Sequence, residues 1–322
     1  MPDVTKTPGT AAESAAETAA AAGEAAVVAA PASSGKPRSL WSDAWRDLRR
    51  NPFFVISGLL IVLLLVMALW PSLFTSTNPR NGDLTHHFLT KPEYGDVFSA
   101  DWFGYDKQGR SIYARVIYGA RASISVGVLV TIAVTLLGGL VGMIAGYYGG
   151  WVDSVLSRIT DIFFGIPFFL GSMVILVSFS DRKVWVVAAA MAFLGWTQIA
   201  RVMRGSVITT KQSDYVTAAR ALGAGTGRIM FRHILPNAIA PVIVVATIAL
   251  GGYIAAEATL SYLGLGLSEP TISWGIDISD AKDSIRDNPH VMFFPAGMLC
   301  VTVLAFIMLG DAVRDALDPK LR

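Results

Sequence analysis

Apolar residues gather into six long runs along this chain of 322 residues, at 53–74, 122–148, 159–179, 184–203, 238–262 and 291–310, with most of the charge between them. A hydrocarbon core about 30 Å thick takes roughly 20 residues as an α-helix, because every backbone polar group must then bond within its own segment. The pattern predicts an all-α integral membrane protein with six transmembrane helices. Ahead of the first run the character changes twice. Residues 1–38 are rich in Ala, Glu, Ser and Pro, with neither a basic start nor an apolar centre, so they read as a disordered tail rather than a signal peptide or packed domain. In residues 39–52, Leu40, Trp41, Ala44, Trp45 and Leu48 recur at helical spacing with charged residues between them, the pattern of an amphipathic helix lying along a membrane surface.

Basic residues set the orientation. Arg46, Arg49 and Arg50 stand immediately before the first run, which predicts a cytoplasmic N-terminus. An even number of spans then returns the C-terminal tail, 311–322, to the same side. On this topology residues 75–121 form an extracytoplasmic loop, 122–310 form a core of spans two to six, and residues 214–237 project into the cytoplasm between the fourth and fifth spans.

Composition narrows the partners. The chain is 53% hydrophobic and only 16% charged, with a net charge of +2, so it offers no basic face for nucleic acid; lipid and other proteins are the expected contacts. Its one cysteine, Cys300, lies in an apolar run and can form no intramolecular disulfide. In the second span Gly138, Gly142, Gly146 and, just beyond it, Gly150 make a glycine stripe on one helix face, which lets backbones approach closely where lipid supplies no drive for helix association. Packing within this chain is the expected use, and a contact with a second membrane subunit the alternative.

The segment DYVTAARALGAGTGRIMFRHILPN, 214–237, reads as helix, turn, helix. Ser213 or Asp214 can cap the first helix, Ala218 and Ala219 give it a small-residue surface, Gly223 and Gly225 stop it, and Thr226 can cap a second helix carrying Arg228 and Arg232. Taken alone, this pattern also fits a basic hairpin resting on lipid headgroups. Thr217-Ala218-Ala219, Gly223 four residues after Ala219, and Ile234-Leu235-Pro236 resemble the cytoplasmic coupling loop of bacterial ABC importer permeases. Three further stretches resemble the dipeptide/oligopeptide branch of that family, specifically its C-type subunit: FGYDKQGRSIYARVIYGARAS at 103–123, EATLSYLGLGLSEPTISWG at 257–275 and LGDAVRDALDPKLR at 309–322. The likeness covers nearly everything after the tail. Thr217 stands where the coupling pattern usually has Glu, and Phe103-Gly104-Tyr105-Asp106 replaces a more usual Leu-Gly-Thr-Asp.

The resemblance implies a type I ABC importer permease in a bacterial cell membrane. It would form half of a pore with a B-type permease, driven by two cytoplasmic ATPase subunits and fed by an extracytoplasmic peptide-binding protein. The cargo implied is di- or oligopeptides, with nickel or another small solute in related importers. No G-x-x-x-x-G-K-[ST] phosphate loop is present, so ATP and magnesium are expected in the partner subunits and no cofactor in this chain. The resemblance makes Asp214, Tyr215, Thr217, Ala218, Ala219, Leu222, Gly223 and Arg228 the expected ATPase-coupling residues.

Other charged positions carry less. Glu257 lies near the outer end of the fifth span, where an ionisable group marks either a contact on the translocation path or a partnered structural charge; the structural role is the better reading so near a span end. Asp153, Arg158 and Asp161 can pair with one another at helical spacing at a solvated helix start. His86-His87 has no third ligand at a metal-binding spacing. An intramembrane enzyme would need paired catalytic groups inside the spans, and no such motif occurs. A stand-alone channel or transporter would show internal repeats or broken helices with intramembrane charges, and the sequence shows neither clearly.

Overall fold

The computed structural model describes Trp45, Arg46 and residues 48–317. The expected tail at 1–38, much of the expected interfacial helix at 39–52 and residues 318–322 lie outside the described residues. Those described form a helical body with two isolated bridges, Gly82 with Arg110 and Tyr105 with Ser111, and no strand.

Helix α1 (Pro52–Leu69) begins where Asn51 accepts from the Phe53 N–H at 2.9 Å and Pro52 occupies the first turn, where its missing donor costs nothing. It ends before Pro71, which opens a 3₁₀ turn (Pro71–Leu73), so the expected span to 74 is five residues too long. The loop that follows leads to α2 (Ile112–Tyr148), capped by the Ser111 hydroxyl on the Ala114 N–H. α2 starts ten residues before the apolar run at 122. Arg115 in its first turns is buried, and its Nε and Nη2 both donate to Asp277, so the charge no longer keeps that turn in water.

The third expected span, 159–179, is not one helix. It is α3 (Gly150–Phe164) followed by α4 (Phe168–Val177), bent by 79°. Pro167 has no N–H to donate and disfavours helical backbone at Ile166, so the chain turns at Gly165-Ile166-Pro167. α5 (Val184–Lys211) continues eight residues past the expected end at 203. Arg204 there meets Asp153, and Lys211 Nζ donates to the Tyr147 carbonyl at 2.5 Å. α6 (Asp214–Ala221) and a short helical run to Ala238 form the expected hairpin. α7 (Ala240–Tyr262), α8 (Trp274–Ala281) and α9 (His290–Leu317) complete the body. Residues 311–317 continue α9 instead of forming a tail, because Ala312 and Ala316 pack on Leu48 near the start of the described chain.

Among the described residues five helices, α1, α2, α5, α7 and α9, are long and apolar enough to cross a membrane, and the bent pair α3–α4 makes a sixth if taken as one span. The two larger buried clusters hold them. One joins α2, α5, α7 and the hairpin through Val130, Val134, Met191, Ile199, Ile234 and Val242; the other joins α1, α2, α7, α8 and α9 through Leu64, Ile124, Ile254, Trp274 and Phe306. The glycine stripe explains how closely α2 and α5 lie. A Cβ on Gly138 would come 2.4 Å from the Trp196 carbonyl oxygen, and one on Gly146 2.9 Å from that of Arg204. The stripe is consumed inside this chain. Gly150 is not part of it: it has φ +54° and open space around it.

Candidate functional site

The hairpin is built on one turn. α6 ends in a Schellman arrangement: the Gly223 N–H donates to the Arg220 carbonyl and the Ala224 N–H to the Ala219 carbonyl, both at 3.0 Å. Gly223 occupies the left-handed region at φ +81°, and a Cβ built there would have nothing within 4 Å, so its glycine is required by backbone conformation alone. At the other end Ser213 is the cap residue but its side chain makes no capping bond. The second helix is capped by Gly225 with Thr226 as its first residue, so Thr226 is not the cap. It runs through Thr226–Arg228, a π-wound stretch Ile229–Ile234 and Leu235–Ala238. Pro236, which cannot donate and crowds the turn before it, accounts for the widening.

Burial divides the hairpin into two faces. Val216, Ile229, Met230 and Ile234 are buried in the core of the helical body, and Ala219 is buried as well. Asp214, Tyr215, Thr217, Ala218, Leu222, Gly223 and Arg228 are exposed, Leu222 at 88%. Ala219 therefore belongs to the inner face: it lets α6 sit close to its own chain and adds nothing to the outer surface. Phe231, which the sequence reading passed over, is 60% exposed beside them. Thr217 Oγ1 reaches only the Ser213 carbonyl, at 3.5 Å. Arg220, Arg228 and Arg232 have no side-chain partner among the described residues, against a single carboxylate, Asp214. The outer face is thus small, apolar at Tyr215, Leu222 and Phe231, and cationic around them.

Two ion pairs brace the helix that carries the hairpin. Arg204 on α5 donates to both oxygens of Asp153 on α3, at 2.5 and 2.7 Å; Arg201 donates to Asp161 at 2.8 Å and lies over the Phe164 ring at 3.8 Å. The expected pairing among Asp153, Arg158 and Asp161 is replaced by these contacts, since the two carboxylates face the neighbouring helix. Between α3–α4, α5 and α7 lies a cavity of about 500 Å³ lined by Phe163, Pro167, Phe168, Gln198 and Tyr253.

Glu257 is fully buried. Its carboxylate accepts from Ser261 at 2.7 Å, Ser123 at 3.3 Å and Ser273 at 3.4 Å. Each serine oxygen also accepts a backbone N–H, of Leu267, Trp274 and Ile276 respectively. The group joins α2, α7 and α8, an arrangement that supports the structural reading of Glu257. His86 bonds Asp83 at 2.9 Å and His87 stacks on Tyr105 with ring centroids 4.1 Å apart.

Sequence reasoning missed two constellations. Arg182 donates to the Gly266, Gly264 and Phe179 carbonyls, tying the α4–α5 turn to the segment after α7. Asp106, Arg110, Arg115, Asp277 and Asp280 form a charge cluster fastening the first long loop to α8. The only signal for either was an arginine at the edge of an apolar run, which demands a partner without naming it.

Long apolar helices, one of them broken, around a projecting helical hairpin define a membrane component of a transporter. Residues 138–322 match the model of the binding-protein-dependent transport system inner membrane component, and residues 39–92 that of the N-terminal TM domain of oligopeptide transport permease C. The chain belongs to this permease family and has its type I ABC permease fold. It is 39% identical to the oligopeptide transport system permease protein OppC of Bacillus subtilis, over 90% of this chain and 92% of the relative. It is 36% identical to the dipeptide transport system permease protein DppC of Alkalihalophilus pseudofirmus, over 88% and 91%. The glutathione transport system permease protein GsiD of Pectobacterium atrosepticum is 35% identical, over 88% and 93%.

Proposed function

We propose that this chain is one half of the pore of an ATP-driven importer of di- or oligopeptides, paired with a second permease, two cytoplasmic ATPase subunits that hold ATP and magnesium, and an extracytoplasmic binding protein. It binds no cofactor of its own. The observation that carries the reading is the two-faced hairpin: the inner face anchors it to the spans, and the outer face of Asp214, Tyr215, Thr217, Ala218, Leu222 and Arg228 is free to seat in a partner. Both chain ends lie in the cytoplasm on this reading, as does the hairpin. The peptide cargo is supported by the oligopeptide, dipeptide and glutathione permeases, each at least 35% identical to it over at least 88% of its length. The braces from α5 to α3 carry hairpin movement to the broken helix and the aromatic cavity beside it, where solute would pass.

The test is co-purification. Ala218→Glu places a charge on the outer face, and Gly223→Glu adds to it the strain of a left-handed residue. Both variants should insert normally, while recovery of the ATPase subunits falls roughly tenfold, the scale of losing one well-packed interface contact. Undiminished ATPase recovery and uptake in both variants would remove the hairpin from the coupling role.

A further inference from the structure

Two arginines share one hollow without a counter-charge. A cavity of about 860 Å³ opens between the start of the first long loop, the N-terminal half of α2 and the segment ahead of α8. Its polar lining includes Asn78, Arg80, Tyr118, Arg121, Ser125 and Thr271, and no Asp or Glu lines it. Several other cations nearby have a carboxylate partner: Arg110 has Asp106 and Asp280, Arg115 has Asp277, Lys107 has Asp280 and Lys183 has Asp181, while Lys91, which has none among the described residues, does not line the hollow. Arg80 reaches only the Pro270 carbonyl, at 3.3 Å, which leaves most of its donors free. Arg121 has no side-chain partner among the described residues.

The volume lies within the range of small-molecule sites, about 300–1,000 Å³. Uncompensated cations in a concave wall raise the local concentration of anions, and the planar guanidinium fork matches a carboxylate. Hydroxyl and amide groups beside them suit a backbone of amides.

We propose that this hollow receives the carboxylate end of the solute on the outer side of the membrane, before the solute enters the pore. The inference rests on the peptide reading and the topology given above. It assigns Arg80 and Arg121 a selective role: they admit a free acid and disfavour cationic cargo.

The experiment uses the whole complex in proteoliposomes, with purified binding protein loaded with a tripeptide or with its C-terminal amide. Arg80→Gln and Arg121→Gln should slow uptake of the free acid roughly tenfold, the scale of one lost charge-assisted hydrogen bond, and uptake of the amide less than twofold. Arg121→Lys should recover part of the loss, and affinity of the binding protein for the complex should stay within twofold. Equal losses for acid and amide, or unchanged uptake of both, overturn the proposal. Uptake that falls together with binding-protein affinity overturns it in favour of a protein-docking surface. A wild-type complex that moves no peptide at all would instead defeat the cargo reading beneath it.

Discussion

Gly142 on α2 faces the Ala200 carbonyl on α5 so closely that a Cβ added there would lie 2.3 Å from that oxygen. Backbone meets backbone, so no side chain can swing away to make room. Gly142→Leu should destabilise the folded protein by about 3 kcal/mol, the upper end for overpacking. Gly139, three residues earlier on the same helix, has nothing within 4 Å of the equivalent position, and Gly139→Ala should be neutral or slightly stabilising. Thermal unfolding of the two variants in detergent gives the comparison. Similar midpoints for both would show that α2 and α5 can part without cost.

The serine group around Glu257 makes a second separation measurable. Ser261→Ala removes the 2.7 Å bond to the carboxylate and also leaves the Leu267 N–H, which donates to that hydroxyl at 3.1 Å, without an acceptor. A loss of about 1–3 kcal/mol is expected for stranding buried groups of this kind. Glu257→Gln keeps the shape and should lower stability and transport together. Transport abolished in Glu257→Gln at an unchanged unfolding temperature would return Glu257 to the solute path.

These residues also show what a single sequence can and cannot carry. Span positions were legible because about 20 apolar residues have few other uses. The break in the third span was written as Gly165-Ile166-Pro167, yet hydropathy averages across it. Early onset of α2 was not legible, since it depends on Arg115 meeting Asp277, 162 positions away. Lengthening of α5 depends in the same way on Arg204 finding Asp153. The hairpin was legible through its glycines, but which alanine faces outward was not: Ala218 and Ala219 look alike in sequence and differ only by 100° around α6. Arg80 and Arg121 carried no signal at all until folding put them on one cavity.

Tyr105 gives a pH dependence with a defined sign. Burial raises its hydroxyl above the usual tyrosine value, and donation to Asp101 at 2.6 Å raises it further. The folded value exceeds the unfolded one, so the stabilisation is fully present below the unfolded value of about 10 and is lost as pH rises through the folded value. Unfolding temperatures of the wild type and Tyr105→Phe, followed from pH 8 to 12, should differ most at the neutral end and converge at the alkaline end. A gap that widens with alkali would contradict the raised value.

The two braces between α3 and α5 should differ in strength, and that difference tests how hairpin motion reaches the broken helix. Arg204 grips Asp153 through two donors, with the carboxylate only 19% exposed; Arg201 makes a single bond to Asp161, which is 55% exposed. A bidentate, partly sheltered pair is worth about 1 kcal/mol after solvent screening, and an exposed single bond about 0.3 kcal/mol. Double-mutant cycles with Arg204→Ala and Asp153→Ala, and with Arg201→Ala and Asp161→Ala, should return coupling energies in that order, the second falling further in high salt. If Asp153–Arg204 is the mechanical link, its removal should also uncouple the partners: ATP hydrolysis by the assembled complex continues while uptake per ATP falls severalfold. Uptake that stays proportional to hydrolysis in Arg204→Ala would mean that α3 follows α5 through packing alone.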